Sequence, residues 1–168
     1  MKKVLQFSGL ISLVLVVVAF ILMMATHAVV QTSGSVQVVT AGTTAIFGKD
    51  ETVLGVTTHT NPSVLALIGW ILLLVGMLIV IAGIVLPLLK VTALEKFAGI
   101  LNLVAVVCFV LGGVFMFIVV PTFYAANDWN VPDNAAIGAG WVIGGILAIA
   151  GGVFAILPAA VNFIGKKK

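Results

Sequence analysis

The amino-acid sequence predicts an all-α transmembrane fold: a four-helix antiparallel bundle with a small β-rich first extracellular loop and both termini in the cytoplasm. Three observations carry this. First, 62% of the 168 residues are apolar and 8% are charged, against roughly 25% charged in an ordinary soluble domain, and the mean hydropathy is +1.36. Second, four stretches contain no Asp, Glu, Lys or Arg: Val4 to Val30, Val64 to Leu89, Phe97 to Phe123 and Ile137 to Ile164. Each exceeds the about 20 residues that cross hydrocarbon as a helix rising about 1.5 Å per residue. Third, these runs are continuous rather than alternating, and backbone polar groups in lipid must pair internally, which selects helices over a β-barrel. A water-soluble surface is excluded, and the length admits one membrane domain, 1-168.

Span 1, 4-30, begins after the basic Met1-Lys2-Lys3, and Thr26-His27-Ala28 would serve as a signal-peptide cleavage site. Its apolar stretch from Leu10 to Ala25 is longer than a usual signal core, so the expectation is a retained span. No cysteine stands directly after that site to accept a lipid. Small residues recur in it at heptad spacing, Ser12, Ala19 and Thr26. Heptad spacing keeps one stripe against a neighbour, and close approach through small residues is what drives helix association in lipid.

The first outer loop, 31-63, alternates Val, Ile, Phe and Leu with Thr, Ser and Gln. With turns at Ala41-Gly42 and Lys49-Asp50-Glu51, it reads as strands from Ser35 to Thr40, Thr43 to Phe47 and Val53 to Thr57. A lone hairpin is marginal in water, so this sheet is expected to rest on the helix ends. Span 2, 64-89, carries Gly69, Gly76 and Gly83; span 3, 97-123, carries Ala98, Ala105 and Gly112. The short connection from Lys90 to Lys96 makes these two spans antiparallel neighbours. The second outer loop, 124-136, is rich in Asn, Asp and Pro, and Asp133 or Asn134 is expected to cap span 4. Span 4, 137-164, has Gly138, Gly145, Gly152 and Ala159 at heptad spacing, and a second ladder, Gly140, Gly144, Ala148 and Gly152, at spacing four. Intramolecular packing is the default for both ladders; the second also offers an oligomer interface. Pro87 and Pro158 are expected to end or bend spans 2 and 4 near the inner surface.

Lysine placement sets the orientation, because retained cytoplasmic segments carry the positive excess. Lys2, Lys3, Lys90, Lys96, Lys166, Lys167 and Lys168 all fall on one side of the expected membrane. The other side holds Lys49, Asp50, Glu51, Asp128 and Asp133, and Trp70, Trp129, Trp141 and Tyr124 lie near its boundary, where amphipathic rings prefer to sit. The net charge of +3 is thus a topology signal toward a cell membrane and its lipid bilayer, and nucleic acid is not an expected partner.

A β-rich first outer loop and a small second one resemble the claudin-type four-span arrangement. Claudins carry a Trp and Gly-Leu-Trp pattern with two cysteines in that loop; here it has neither Trp nor Cys, so no claudin residue is carried over. Gly42-Thr43-Thr44-Ala45-Ile46-Phe47-Gly48 is similar to a Gly followed by Ala-x-Phe-Gly in small uncharacterised four-span membrane proteins of Gram-positive bacteria and their wall-less relatives. Those proteins often place an aromatic after the first glycine, where Thr43 departs. The resemblance implies no known activity.

Chemistry-bearing residues are few. No span holds an ionisable group at mid-depth, where proton or ion movement would need one. His27 reads as an interfacial residue bonding loop backbone. His59 with His27, Asp50 or Glu51 lacks metal-ligand spacing. Cys108 is alone among Val and Phe and reads as a small packing residue; Asn102 reads as interhelical glue. Pro62 disqualifies Asn61-Pro62-Ser63 as a glycosylation acceptor, and the Gly112-Gly113 and Gly144-Gly145 pairs lie in spans rather than phosphate loops. The expectation is therefore a non-catalytic integral membrane protein, with no cofactor and no metal: a scaffold, accessory subunit or surface interaction module with a membrane-protein partner or a homo-oligomer. A small oligomeric pore or transporter is the alternative, without a polar stripe in any span to support it. An enzymatic reading would need Asp50, Glu51, Asp128, Asp133 and His59 to converge. A groove lined by Phe47, Leu54 and Trp129 would take a lipid or peptide; a closed cap would fit a scaffold.

Overall fold

The computed structural model describes residues 2–88 and 98–164. Along the chain run α1 (Lys2–Ala25), β1 (His27–Ser33), β2 (Val36–Ala41), α2 (Gly42–Phe47), β3 (Lys49–Val53), β4 (Val56–Thr60), α3 (Val64–Leu88), α4 (Ala98–Phe117), α5 (Val119–Ala126), β5 (Ala135–Ile137) and α6 (Ala139–Ile164). Among the described residues four helices are long and apolar enough to cross a membrane, over Phe7–Ala25, Val64–Val85, Gly99–Phe117 and Ala139–Leu157. The expected connection from Lys90 to Lys96, and Lys166, Lys167 and Lys168, lie outside the described residues.

Small residues set which helices meet. Gly69 lies against Gly112 and Phe115, Gly76 against Cys108 and Phe109, and Gly83 against Asn102, so α3 and α4 run antiparallel. Gly113 faces Gly145 and Ala148, and Gly152 faces Val106 and Val110, which joins α4 to α6. Gly140, Gly144 and Gly151 face Thr26, Ala19 and Ser12 of the α1 segment. α1 also meets α3, through Met23 beside Gly69 and Phe20 beside Trp70. At several of these contacts a Cβ would come within about 3 Å of a neighbour's backbone or ring, closer than van der Waals contact allows.

Several expected boundaries are corrected. Span 1 does not continue to Val30, nor does span 4 start at Ile137: β1 and β5 take those residues, pairing as Val29 with Ile137, Val30 with Ala136 and Gln31 with Ala135. β1 also pairs with β2, giving a three-stranded sheet in the order β2-β1-β5. Span 3 does not run unbroken to Phe123. Pro121 cannot donate to Phe117 and its ring crowds that carbonyl, and the backbone breaks at Ile118 (φ −102°, ψ 15°) before resuming as α5, which extends into the expected second loop. Pro158 does not end α6, which continues to Ile164.

The first loop is also rearranged. Thr43 to Phe47 is a helix, not a strand, because Gly42, Ala45 and Ile46 are all buried; spacings of three and four put them on one helical face, whereas a strand would turn Ala45 and Ile46 to opposite sides. Lys49-Asp50-Glu51 is strand rather than turn. The turn lies at Leu54-Gly55, where both residues have positive φ, 52° and 83°, the type I′ geometry of a two-residue hairpin. The resulting β3–β4 ribbon forms a separate two-stranded sheet.

Candidate functional site

All the strands, with α2 and α5, gather at the end of the long helices where α1 and α4 finish and α3 and α6 begin. The centre of this cap is the C-terminus of α1. The last carbonyls of a helix have no partner within it, and in an apolar setting each must find one. Leu22 O accepts from Thr26 N (3.1 Å) and Thr26 Oγ1 (2.6 Å). Met23 O accepts from the indole N–H of the fully buried Trp141 on α6, at 3.0 Å. Gly42 N donates to Thr26 O (2.8 Å) and Gly138 N to Ala28 O (3.0 Å). Both glycines are forced by proximity: a Cβ on Gly42 would lie 1.9 Å from Met23 O, and one on Gly138 1.8 Å from His27 O.

A second clasp ties the loops together. Asn61 N donates to Asn127 Oδ1 (2.7 Å), Asn127 Nδ2 donates back to Asn61 O (3.1 Å) and to Phe123 O (2.9 Å), and Asn61 Nδ2 reaches Ala126 O (3.2 Å). Ser63 Oγ and Thr122 Oγ1 meet at 2.9 Å beneath it. Asn134 does not cap α6 as expected. Its Nδ2 donates to Thr32 O (2.6 Å), stapling β5 to β1, while Gly138 O accepts from Trp141 N and Val142 N. Burial against Gln31, whose Oε1 accepts from the Tyr124 hydroxyl at 3.4 Å, accompanies an upward shift of the Tyr124 phenol caused by desolvation.

Phe47, Leu54 and Trp129, the residues that would line a groove, each have separate surroundings. Phe47 packs edge-on to Trp70, with ring centroids 5.3 Å apart. Trp129 packs on Phe123 and Tyr124 at 6.2 and 6.3 Å. Leu54 sits at the ribbon tip, 100% exposed, between exposed Val53 and Val56. At the root of the ribbon an open depression of about 270 Å³ is lined by Phe47, Pro62, Asp50 and His59 among others. His59 Nδ1 pairs with Asp50 across the ribbon and Lys49 Nζ with Glu51 along β3, all exposed; such pairs contribute little in water. Among the described residues no three His, Cys, Asp or Glu side chains come close enough to hold a metal ion. Trp141, near the cap end of α6, is fully buried and caps the Met23 carbonyl.

Deeper in the helices, Cys108 is buried beside Gly76, and the Asn102 carboxamide lies against Gly83. Ser12 Oγ donates to Gly151 O at 2.7 Å, a buried α1–α6 bond that sequence reasoning missed although Ser12 was in its ladder. The clasp of Trp141 on Met23 was also missed, since nothing local pairs residues so distant in the chain. Four apolar helices of spanning length under a polar, β-rich cap define the class: a multi-pass membrane protein. In comparison with known proteins, no family model matches the chain and no curated protein matches it.

Proposed function

We propose that the chain is a non-catalytic integral membrane protein of the cell membrane, its helices forming a four-span antiparallel bundle with both termini cytoplasmic, that acts as a scaffold or surface interaction module through its outer cap. The lysine distribution supports the orientation, and the claudin-like order of a large β-rich loop before a small one supports the comparison of topology. The observation that carries the reading is the β3–β4 ribbon. Its strands are exposed almost throughout and its tip is the apolar Val53-Leu54-Gly55-Val56, with Leu54 held in a left-handed backbone that disfavours it. Asn would suit that turn better. A fully exposed leucine at a strained apex is what a contact residue looks like before its partner arrives. The glycine edges of α6 are filled by α1 and α4, which supports this reading over an oligomeric pore built on the same glycines.

Crosslinking in native membranes followed by purification tests it. A stoichiometric partner or a second copy should be recovered with the wild type and several-fold less with Leu54→Asn. Repeated recovery of the uncrosslinked protein alone would count against the proposal.

A further inference from the structure

Each β edge of the cap differs in how it is guarded against pairing with another chain. β5 is three residues long. The β3–β4 ribbon carries Lys49, Asp50 and Glu51, with His59 across from Asp50. Short length and charge are the usual devices that blunt an edge. β2 has neither: it is Val36–Ala41, Val-Gln-Val-Val-Thr-Ala, lies at the edge of its sheet, and exposes Val36 (61%), Val38 (61%) and Val39 (43%). The sequence from Ala28 to Gly48 contains no Asp, Glu, Lys or Arg.

The register shows which backbone groups are unspent. The two-residue turn at Gly34-Ser35 makes Ser33 and Val36 the closing hydrogen-bonded pair, so Gln31 and Val38 form the next one. Thr32, between them, turns the other way and donates to Asn134 O beside β5. By the same alternation, the N–H and C=O groups of Gln37 and Val39 point away from β1.

We infer that β2 is a homodimer interface, on which β2 of a second copy pairs antiparallel about Val38. The edge is self-complementary in that register. Gln37 and Val39 of one copy exchange backbone hydrogen bonds with Val39 and Gln37 of the other, and Val38 faces its own mate across the two-fold axis, as an isologous interface requires. The absence of formal charge leaves no like-charge repulsion between identical strands, and Val38, half-wasted in water, becomes covered. The inference adds a second surface to the interaction-module reading, distinct from the β3–β4 ribbon, and rests on that reading only for the placement of the cap outside.

Single cysteines in the full chain on a Cys108→Ala background, in native membranes, test it under mild oxidation. Across a non-hydrogen-bonded antiparallel pair the Cα atoms lie about 4.5 Å apart, within disulfide reach. Val38→Cys should therefore crosslink to a dimer at least fivefold more than Gln37→Cys, whose mate lies out of register, and more than the exposed collision control Asp133→Cys. Adding Val39→Pro, which removes outward donors but no bond to β1, should lower the Val38→Cys dimer at least fivefold. Equal crosslinking at all three positions, no dimer at Val38→Cys, or no effect of Val39→Pro would overturn the interface. Labelling of the same cysteines in whole cells by an impermeant maleimide is read separately. Labelling without dimer removes only the interface; dimer without labelling removes the outward placement of the cap.

Discussion

Gly42 and Gly138 show how little room the α1 terminus leaves. A methyl group at either would lie under 2 Å from a backbone carbonyl, and backbone cannot swing aside as a side chain can. Gly42→Ala is expected to destabilise the protein by about 3 kcal/mol, the upper end for overpacking, seen as a clear fall in the unfolding temperature in detergent. The two buried indole N–H groups give an internal contrast. Trp141 Nε1 satisfies Met23 O, whereas the buried Trp70 Nε1 has no hydrogen-bond partner among the described residues. Trp141→Phe should cost about 1 to 3 kcal/mol through the orphaned carbonyl. Trp70→Phe keeps a ring against Phe20 and Phe47, relieves an unpaired donor, and should be nearly neutral by the same measurement. Tyr124 adds a pH dependence. Its phenol is raised by burial, so its contribution is fully present below the ordinary phenol pKa of about 10 and is lost as pH rises through the higher folded value. The difference in unfolding temperature between wild type and Tyr124→Phe should stay constant below the ordinary phenol pKa and change only in that alkaline range.

At the scale of elements, α6 is the helix on which the others depend. One glycine edge receives α4 and another receives α1, and Ser12 adds a hydrogen bond to the second. Gly144→Leu would drive a side chain into Met116 and the Ala19 carbonyl, at 2.6 and 3.3 Å from the first added carbon. It should lower the unfolding temperature through a loss of about 1 to 3 kcal/mol, with or without any oligomer, so reduced flux in such a variant would not identify a pore. The cap elements were harder to read. The alternation of β2 was legible, and so was the β-rich character of the first loop. α2 was misread because Thr43, Thr44 and Ile46 have strand propensity, while the burial of Gly42, Ala45 and Ile46 on one face selects a helix. Pro121 announced the break between α4 and α5, but an uninterrupted apolar run concealed it.

For the whole molecule, the proposed orientation predicts a simple labelling pattern. On a Cys108→Ala background, Leu54→Cys and Asp133→Cys, both on the cap, should react with an impermeant maleimide in intact cells. Protection of both until the membrane is opened would reverse the topology.

What the sequence determined alone is the solvent of this protein and the number of its long helices. Spanning hydrocarbon demands only length and apolarity, properties that each segment carries by itself. Where those helices stop was decided by tertiary structure. Residues 26–30 are as apolar as a helix needs, yet they leave α1 because β2 and β5 supply paired backbone on both sides and Trp141, far along the chain, takes the Met23 carbonyl. A terminus is settled by whichever partners satisfy its unpaired carbonyls, and no local pattern in the chain names partners that only folding brings together.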